Sequence, residues 1–150
     1  MDFIISASII WFAIAFVWTL PYSAYDRSII TFMVGAPMLP LAWLLSKILK
    51  TEWTIKNNLL DPLGLWLNFA QLFYFPFLFF VLSKMPEYFV MTYAIITGAH
   101  FFPYAWYYKE LGYAVMAGTI SLGTFLIAVK VESEMMFLVP LFMGVCLLVL

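Results

Sequence analysis

The sequence is poor in charge and has one histidine and one cysteine. Only 10% of its 150 residues are charged, against roughly 25% in an ordinary soluble domain. Seven basic and eight acidic side chains leave a formal net charge of −1, which excludes the basic patch that nucleic-acid binding needs. Cys146 stands alone, so no internal disulfide can form, and with His100 it cannot complete a protein-only zinc site. His-Glu-x-x-His, Cys-x-x-Cys, a phosphate loop and paired intramembrane aspartates are all missing. Nothing therefore calls for a metal or a cofactor. The N-terminus lacks the basic region and small-residue cleavage site of a secretory signal, so its apolar run reads as a retained segment.

What the chain does have is apolar surface. Hydrophobic residues make up 66% and aromatic ones 21%, more than a soluble core of this length can bury. A lipid bilayer accommodates it. Spanning the ~30 Å hydrocarbon layer takes about 20 apolar residues as a helix, and six segments come near that length. The expected fold is an all-α polytopic membrane bundle, a single domain over 1–150. Its helices fall near 3–20, 29–46, 63–83, 86–108, 112–129 and 135–150. Asp61-Pro62 is a good helix start, with an N-cap acceptor followed by proline. Continuously apolar runs such as 77–82 exclude the alternation of a barrel. The last run reaches Leu150 without a polar flank, the pattern of a chain that continues.

Most connections are a few residues long, which makes consecutive helices antiparallel neighbours. The longest, 47–61, carries Lys47, Lys50, Trp53 and Lys56. It suits an interfacial segment against anionic head groups, or a plain solvated loop. With Lys109, these lysines outnumber Arg27, Lys84 and Lys130 on the other side. That places both termini in the cytoplasm of a multi-pass cell-membrane protein. Trp18, Tyr22, Trp43, Trp106 and Tyr108 read as an interfacial aromatic belt.

The second and fourth segments share a pattern at an offset of 63 residues. Gly35-Ala36-Pro37-Met38-Leu39-Pro40-Leu41-Ala42-Trp43 aligns without a gap on Gly98-Ala99-His100-Phe101-Phe102-Pro103-Tyr104-Ala105-Trp106. Tyr25 meets Tyr88, Ala7 meets Ala70, Phe12 meets Phe75 and Phe16 meets Phe79. Either the first hairpin is duplicated as the second, as in some transporters, or both use Gly-Ala for close packing and Trp as an anchor. Helix kinks are expected at Pro37, Pro40, Pro76 and Pro103. Between the copies, Pro37, Leu41 and Leu44 become His100, Tyr104 and Tyr107, so an apolar face turns polar and aromatic.

Every carboxylate lies at a helix end or in a loop, and no basic residue sits mid-span. This excludes a voltage sensor, a fixed-charge ion path and the embedded Glu of small proton-coupled multidrug exporters. The mid-span polar residue that remains is His100. Tyr93, Thr97, His100, Tyr104 and Tyr107 recur at helical spacing on one face. Asn68, Gln71 and Tyr74 form a second polar stripe, and Ala114, Ala117, Ser121, Thr124 and Ala128 a small-residue seam. The candidate site for a ligand or for proton coupling is therefore His100, Tyr104, Asn68, Gln71, Tyr93, Tyr107 and Ser121, with no catalytic residue assigned. The same groups could serve as interhelical hydrogen-bonding glue. Asp26-Arg27 reads as a solvated cap, with an internal ion pair or gate as the alternative.

The stretch from Tyr88-Phe89-Val90-Met91 to Gly98-Ala99-His100-Phe101-Phe102-Pro103-Tyr104-Ala105-Trp106, with Tyr74-Phe75-Pro76-Phe77 before it, resembles a family of small uncharacterised bacterial inner-membrane proteins. The resemblance covers the second to fifth segments. It implies a helical bundle in a bacterial cytoplasmic membrane, and no substrate or mechanism. The expected function is a small transporter or permeation protein for a neutral or cationic solute. Cation–π contacts would hold a cation without a carboxylate, and histidine, which titrates near neutral pH, would couple protonation to movement. The alternatives are a non-catalytic assembly, sensor or lipid-organising partner and an intramembrane enzyme with His100 as acid–base on a lipid-like substrate. The expected partners are the bilayer, a small solute, and a second copy or another membrane protein.

Overall fold

A computed structural model describes residues 2–49 and 61–150. The basic stretch with Lys50, Trp53 and Lys56 lies outside the described residues. The chain is all-helical, with no strand among those residues. Its helices are α1 (Asp2–Thr19), α2 (Ala24–Gly35), α3 (Met38–Leu49), α4 (Asp61–Leu72), α5 (Phe75–Lys84), α6 (Phe89–His100), α7 (Phe102–Tyr108), α8 (Leu111–Lys130) and α9 (Leu138–Val149). Tight 3-10 turns at Pro86–Tyr88 and Ser133–Met135 precede α6 and α9.

Three of the six expected segments are helix pairs rather than single helices, and each break stands just ahead of a proline. α2 gives way to α3 at Ala36-Pro37, before Pro40, and the pair is bent by 40°. α4 gives way to α5 at Phe73-Tyr74, before Pro76, and α6 to α7 at Phe101, before Pro103. Proline has no N–H to give the preceding turn, and its ring displaces the carbonyl four residues back. The two aligned stretches, offset by 63 residues, thus break at neighbouring positions. α1 and α8 contain no proline and run unbroken for 18 and 20 residues. α1 differs here from the stretch aligned with it, α4–α5, because Ala13 stands at the position of Pro76.

The core forms where α1 lies along α9 and α3, while α6 and α7 lie along α8 and α8 meets α9. Trp11, Ile14, Val90, Ile120, Met143 and Leu147 are buried in it. Glycines permit the closest approaches. A Cβ on Gly98 would strike the Ile120 side chain, 2.9 Å from its Cβ. One on Gly144 would lie 3.1 Å from the Phe12 ring, and one on Gly123 would run into Phe142. α4 and α5 lie at the flank, against α6 and more lightly against α7 and α2.

Trp18 departs from the interfacial role expected of it. It is fully buried, and its Nε1 donates to Thr31 Oγ1 at 3.0 Å. Thr31 in turn donates to the Arg27 carbonyl at 2.8 Å. Arg27 donates from Nη1 to the Trp18 carbonyl at 3.0 Å, with its guanidinium 5.3 Å from the Trp18 ring centre. That carbonyl belongs to the last turn of α1, whose acceptors have no helical partner, so Arg27 caps α1 from α2. Asp26 plays a separate part. Ser23 Oγ accepts from the Asp26 N–H at 3.1 Å and donates to its carboxylate at 2.6 Å, which closes the start of α2. Ser28 Oγ lies 2.7 Å from the Ala24 carbonyl and 3.2 Å from that of Pro86, tying α2 to the turn before α6.

Polar and apolar groups are distributed unusually. Among the described residues the buried polar side chains are serines and threonines, including Ser8, Ser28, Thr31, Thr92, Thr97 and Thr124. Most donate to a carbonyl of their own helix one turn back: Ser8 to Ile4, Thr92 to Tyr88, Thr97 to Tyr93. Large apolar rings meanwhile face outward, with Phe73 83% and Trp106 82% exposed. Among the described residues, α8 alone is by length and composition able to cross a membrane, and α2 with α3 makes a second span if the bent pair is one. Phe3–Thr19, Phe69–Lys84 and Ser133–Val149 are apolar but shorter.

Candidate functional site

α6 ends at His100 because Pro103 cannot continue its ladder. The chain tightens instead, with Phe101 N–H donating to the Gly98 carbonyl at 3.0 Å and Tyr104 N–H to that of Phe101 at 3.0 Å. This puts His100 at a helix end with its side chain half-buried. Its Nε2 is buried and has no hydrogen-bond partner among the described residues. Leaving such a group unpaired costs about 1–3 kcal/mol.

The His100 ring stands edge-on to Tyr104, centroids 5.2 Å apart and planes at 70°. Tyr104 is the hub of a larger group. Tyr107 meets it edge-on at 5.9 Å, Tyr108 stacks at 5.8 Å, and Tyr113 lies at 6.5 Å. Tyr108 also stacks on Tyr113 at 5.3 Å and meets Tyr107 edge-on at 4.8 Å. Tyr113 enters from α8 because the chain reverses at Lys109, whose φ of 57° is left-handed and ends α7. Four tyrosines and one histidine from α6, α7 and α8 thus make one polar aromatic cluster.

Other expected site residues fall differently. Tyr93, two turns before His100, packs on Trp11 at 5.3 Å, and its hydroxyl would lie 2.8 Å from a Cβ on Gly35. It also borders Phe89 and Phe32, which places it in the aromatic core between α1, α2 and α6 rather than with Tyr104. Ser121 is half-buried on α8, its Oγ 3.5 Å from a Cβ built on Gly98. It therefore sits beside α6 just before His100, but it does not pair with the buried Nε2. Gln71 is half-buried on α4, a helix that touches α6 and α7. The side chain of Asn68 lies outside the described residues. On α8, Ala117, Ile120, Thr124 and Ala128 are buried, and Thr124 Oγ1, like Arg27 Nε, is a further buried atom without a partner among the described residues.

Tyr113 belongs to no sequence stripe, and Tyr108 reads from sequence as belt. Their positions flanking Lys109-Glu110 would have identified them only with the reversal known. Among the described residues no three His, Cys, Asp or Glu side chains gather as metal ligands, and Cys146 is buried on α9. A mixed polar and apolar cleft of about 230 Å³ lies between Glu87, Tyr88, Val129, Ser133 and Met136, away from His100.

Fold and site together define an all-helical protein with an apolar exterior and its imidazole and clustered phenols at one broken helix. The chain belongs to a family of unknown function, DUF7010, whose family model matches residues 1–150. Comparison with curated proteins and with solved structures gives no match.

Proposed function

We propose that the chain is a multi-pass membrane protein of six spans, three of them broken, that binds and passes a neutral or cationic solute at the His100–tyrosine cluster. The observation that carries this reading is the buried, unpartnered Nε2 of His100 beside Tyr104 at the break in α6–α7. A hydrogen-bonding group held dry and unpaired is costly unless something else engages it. Discontinuous helices are where many transporters place their sites, and phenol rings attract cations without a fixed negative charge.

Membrane residence draws support from the distribution of side chains. Outward rings such as Phe73 and Trp106 and inward hydroxyls bonded to their own helices reverse the order expected in water. The bilayer favours that order, because each helix then satisfies its own polar groups.

The test uses purified protein in vesicles loaded with tetramethylammonium or with glycerol. Wild-type protein should release one of them faster than empty vesicles, and His100→Leu and Tyr104→Leu should abolish the difference. Release unchanged in both variants overturns the site. A second reading, a non-catalytic membrane partner, is favoured by the way the tyrosine rings fill one another's space. It predicts no release of either probe and co-purification with another membrane protein.

A further inference from the structure

α8 and α9 touch closely at Gly123, where the Phe142 ring lies over the glycine. Toward the Lys130 end of that contact lies an open, almost wholly apolar groove of about 540 Å³, lined by Leu126, Ile127, Leu138, Leu141, Val145 and, at the end of α8, the stem of Lys130. The volume is in the range of about 300–1,000 Å³ typical of ligand sites. Lys130 is the charged residue of this lining, and no ion pair engages it among the described residues. Glu132 and Glu134 follow it in the chain, but both are exposed and neither lines the groove. An apolar trough with one cation at its end matches a molecule with a hydrocarbon tail and an anionic head.

We propose that this groove seats one acyl chain of a phospholipid with a net negative head group, whose phosphate Lys130 engages. The proposal rests on the membrane reading above. A lysine at a helix C-terminus is also favoured by the helix dipole, but that role is indifferent to the head group, which gives the test its leverage.

The full chain is purified in detergent, stripped of lipid, and offered phosphatidylglycerol or phosphatidylcholine with identical acyl chains. Native mass spectrometry reads the lipid retained. Wild-type protein should hold one phosphatidylglycerol about fivefold more tightly than phosphatidylcholine, the worth of one lysine against an anionic surface. Lys130→Gln should erase the preference, Lys130→Arg should keep it, and Val145→Trp, which fills the groove, should lower retention of both lipids. Equal retention by the wild type, a preference that survives Lys130→Gln, or a lipid-free dimer would overturn the proposal. Alkaline carbonate extraction keeps the two readings apart. A chain released from membranes fails as a membrane protein, whereas a chain that stays and shows no preference fails only here.

Discussion

His100 buries one ring nitrogen that no group among the described residues meets, and the energetic sign of that arrangement can be measured. Because an unpaired buried polar atom costs about 1–3 kcal/mol, His100→Leu should melt at or above the wild-type temperature while losing solute passage. If the imidazole is glue, the same change lowers the melting temperature and leaves passage intact. Arg27 behaves oppositely, since its bond to the Trp18 carbonyl closes the end of α1. Arg27→Ala should cost about 1.5–3 kcal/mol, the worth of a hydrogen bond to a charged group, seen as a lower melting temperature that Arg27→Lys restores in part. At this scale the sequence was partly legible. His100 and Tyr104 stand four apart, and that spacing put them on one face. Tyr93 shares the same stripe, yet its surroundings were set by Trp11, whose place against α6 depends on how distant helices pack. Tyr113 joins the cluster through a left-handed lysine, and lysine carries no signal for that conformation.

Among the elements, prolines set the architecture. Their positions were readable as kinks, whereas the extent of each break was not, because it depends on what the neighbouring helices allow. Pro103→Ala should restore a continuous ladder through Phe101, moving Tyr104 relative to His100. Solute passage should fall while helix content measured by circular dichroism stays the same or rises. The contact of α6 with α8 is governed by Gly98. A methyl there collides with Ile120, so Gly98→Ala should destabilise by about 1–3 kcal/mol through overpacking. In an Ile120→Ala background the collision is relieved, so Gly98→Ala should cost less there than in the wild type, and thermal melts of the single and double variants check it. The Gly-Ala pair at 98–99 announced close packing in the sequence, but not which helix would come close.

For the whole molecule the apolar segmentation was the most legible feature, since it needs only composition and the positions of the few charges. The all-helical fold follows from it. The spans themselves belong to the proposal, and their order across the membrane is testable. With Cys146 replaced by alanine, Thr54→Cys and Pro86→Cys should react with impermeant maleimide from opposite faces of sealed vesicles, the Thr54→Cys label from the cytoplasmic side. Labelling of both from one side would end the six-span arrangement.

The hydroxyls that donate back to their own helices carry a consequence for biosynthesis. Ser8, Thr92, Thr97 and Thr119 each find their acceptor within one turn. A segment leaving the ribosome therefore has these groups satisfied as soon as it coils, before any neighbour exists. Bonds that must wait for a second element, Trp18 to Thr31, Arg27 to Trp18 and Ser28 to Pro86, cluster near one end of α1 and α2. If the proposed six spans hold, segments can thus enter the bilayer one at a time, in chain order, and be sorted afterwards by shape: glycine against Ile120, Phe142 and Phe12. These three polar locks then come last, at the corner where α1, α2 and the turn before α6 meet.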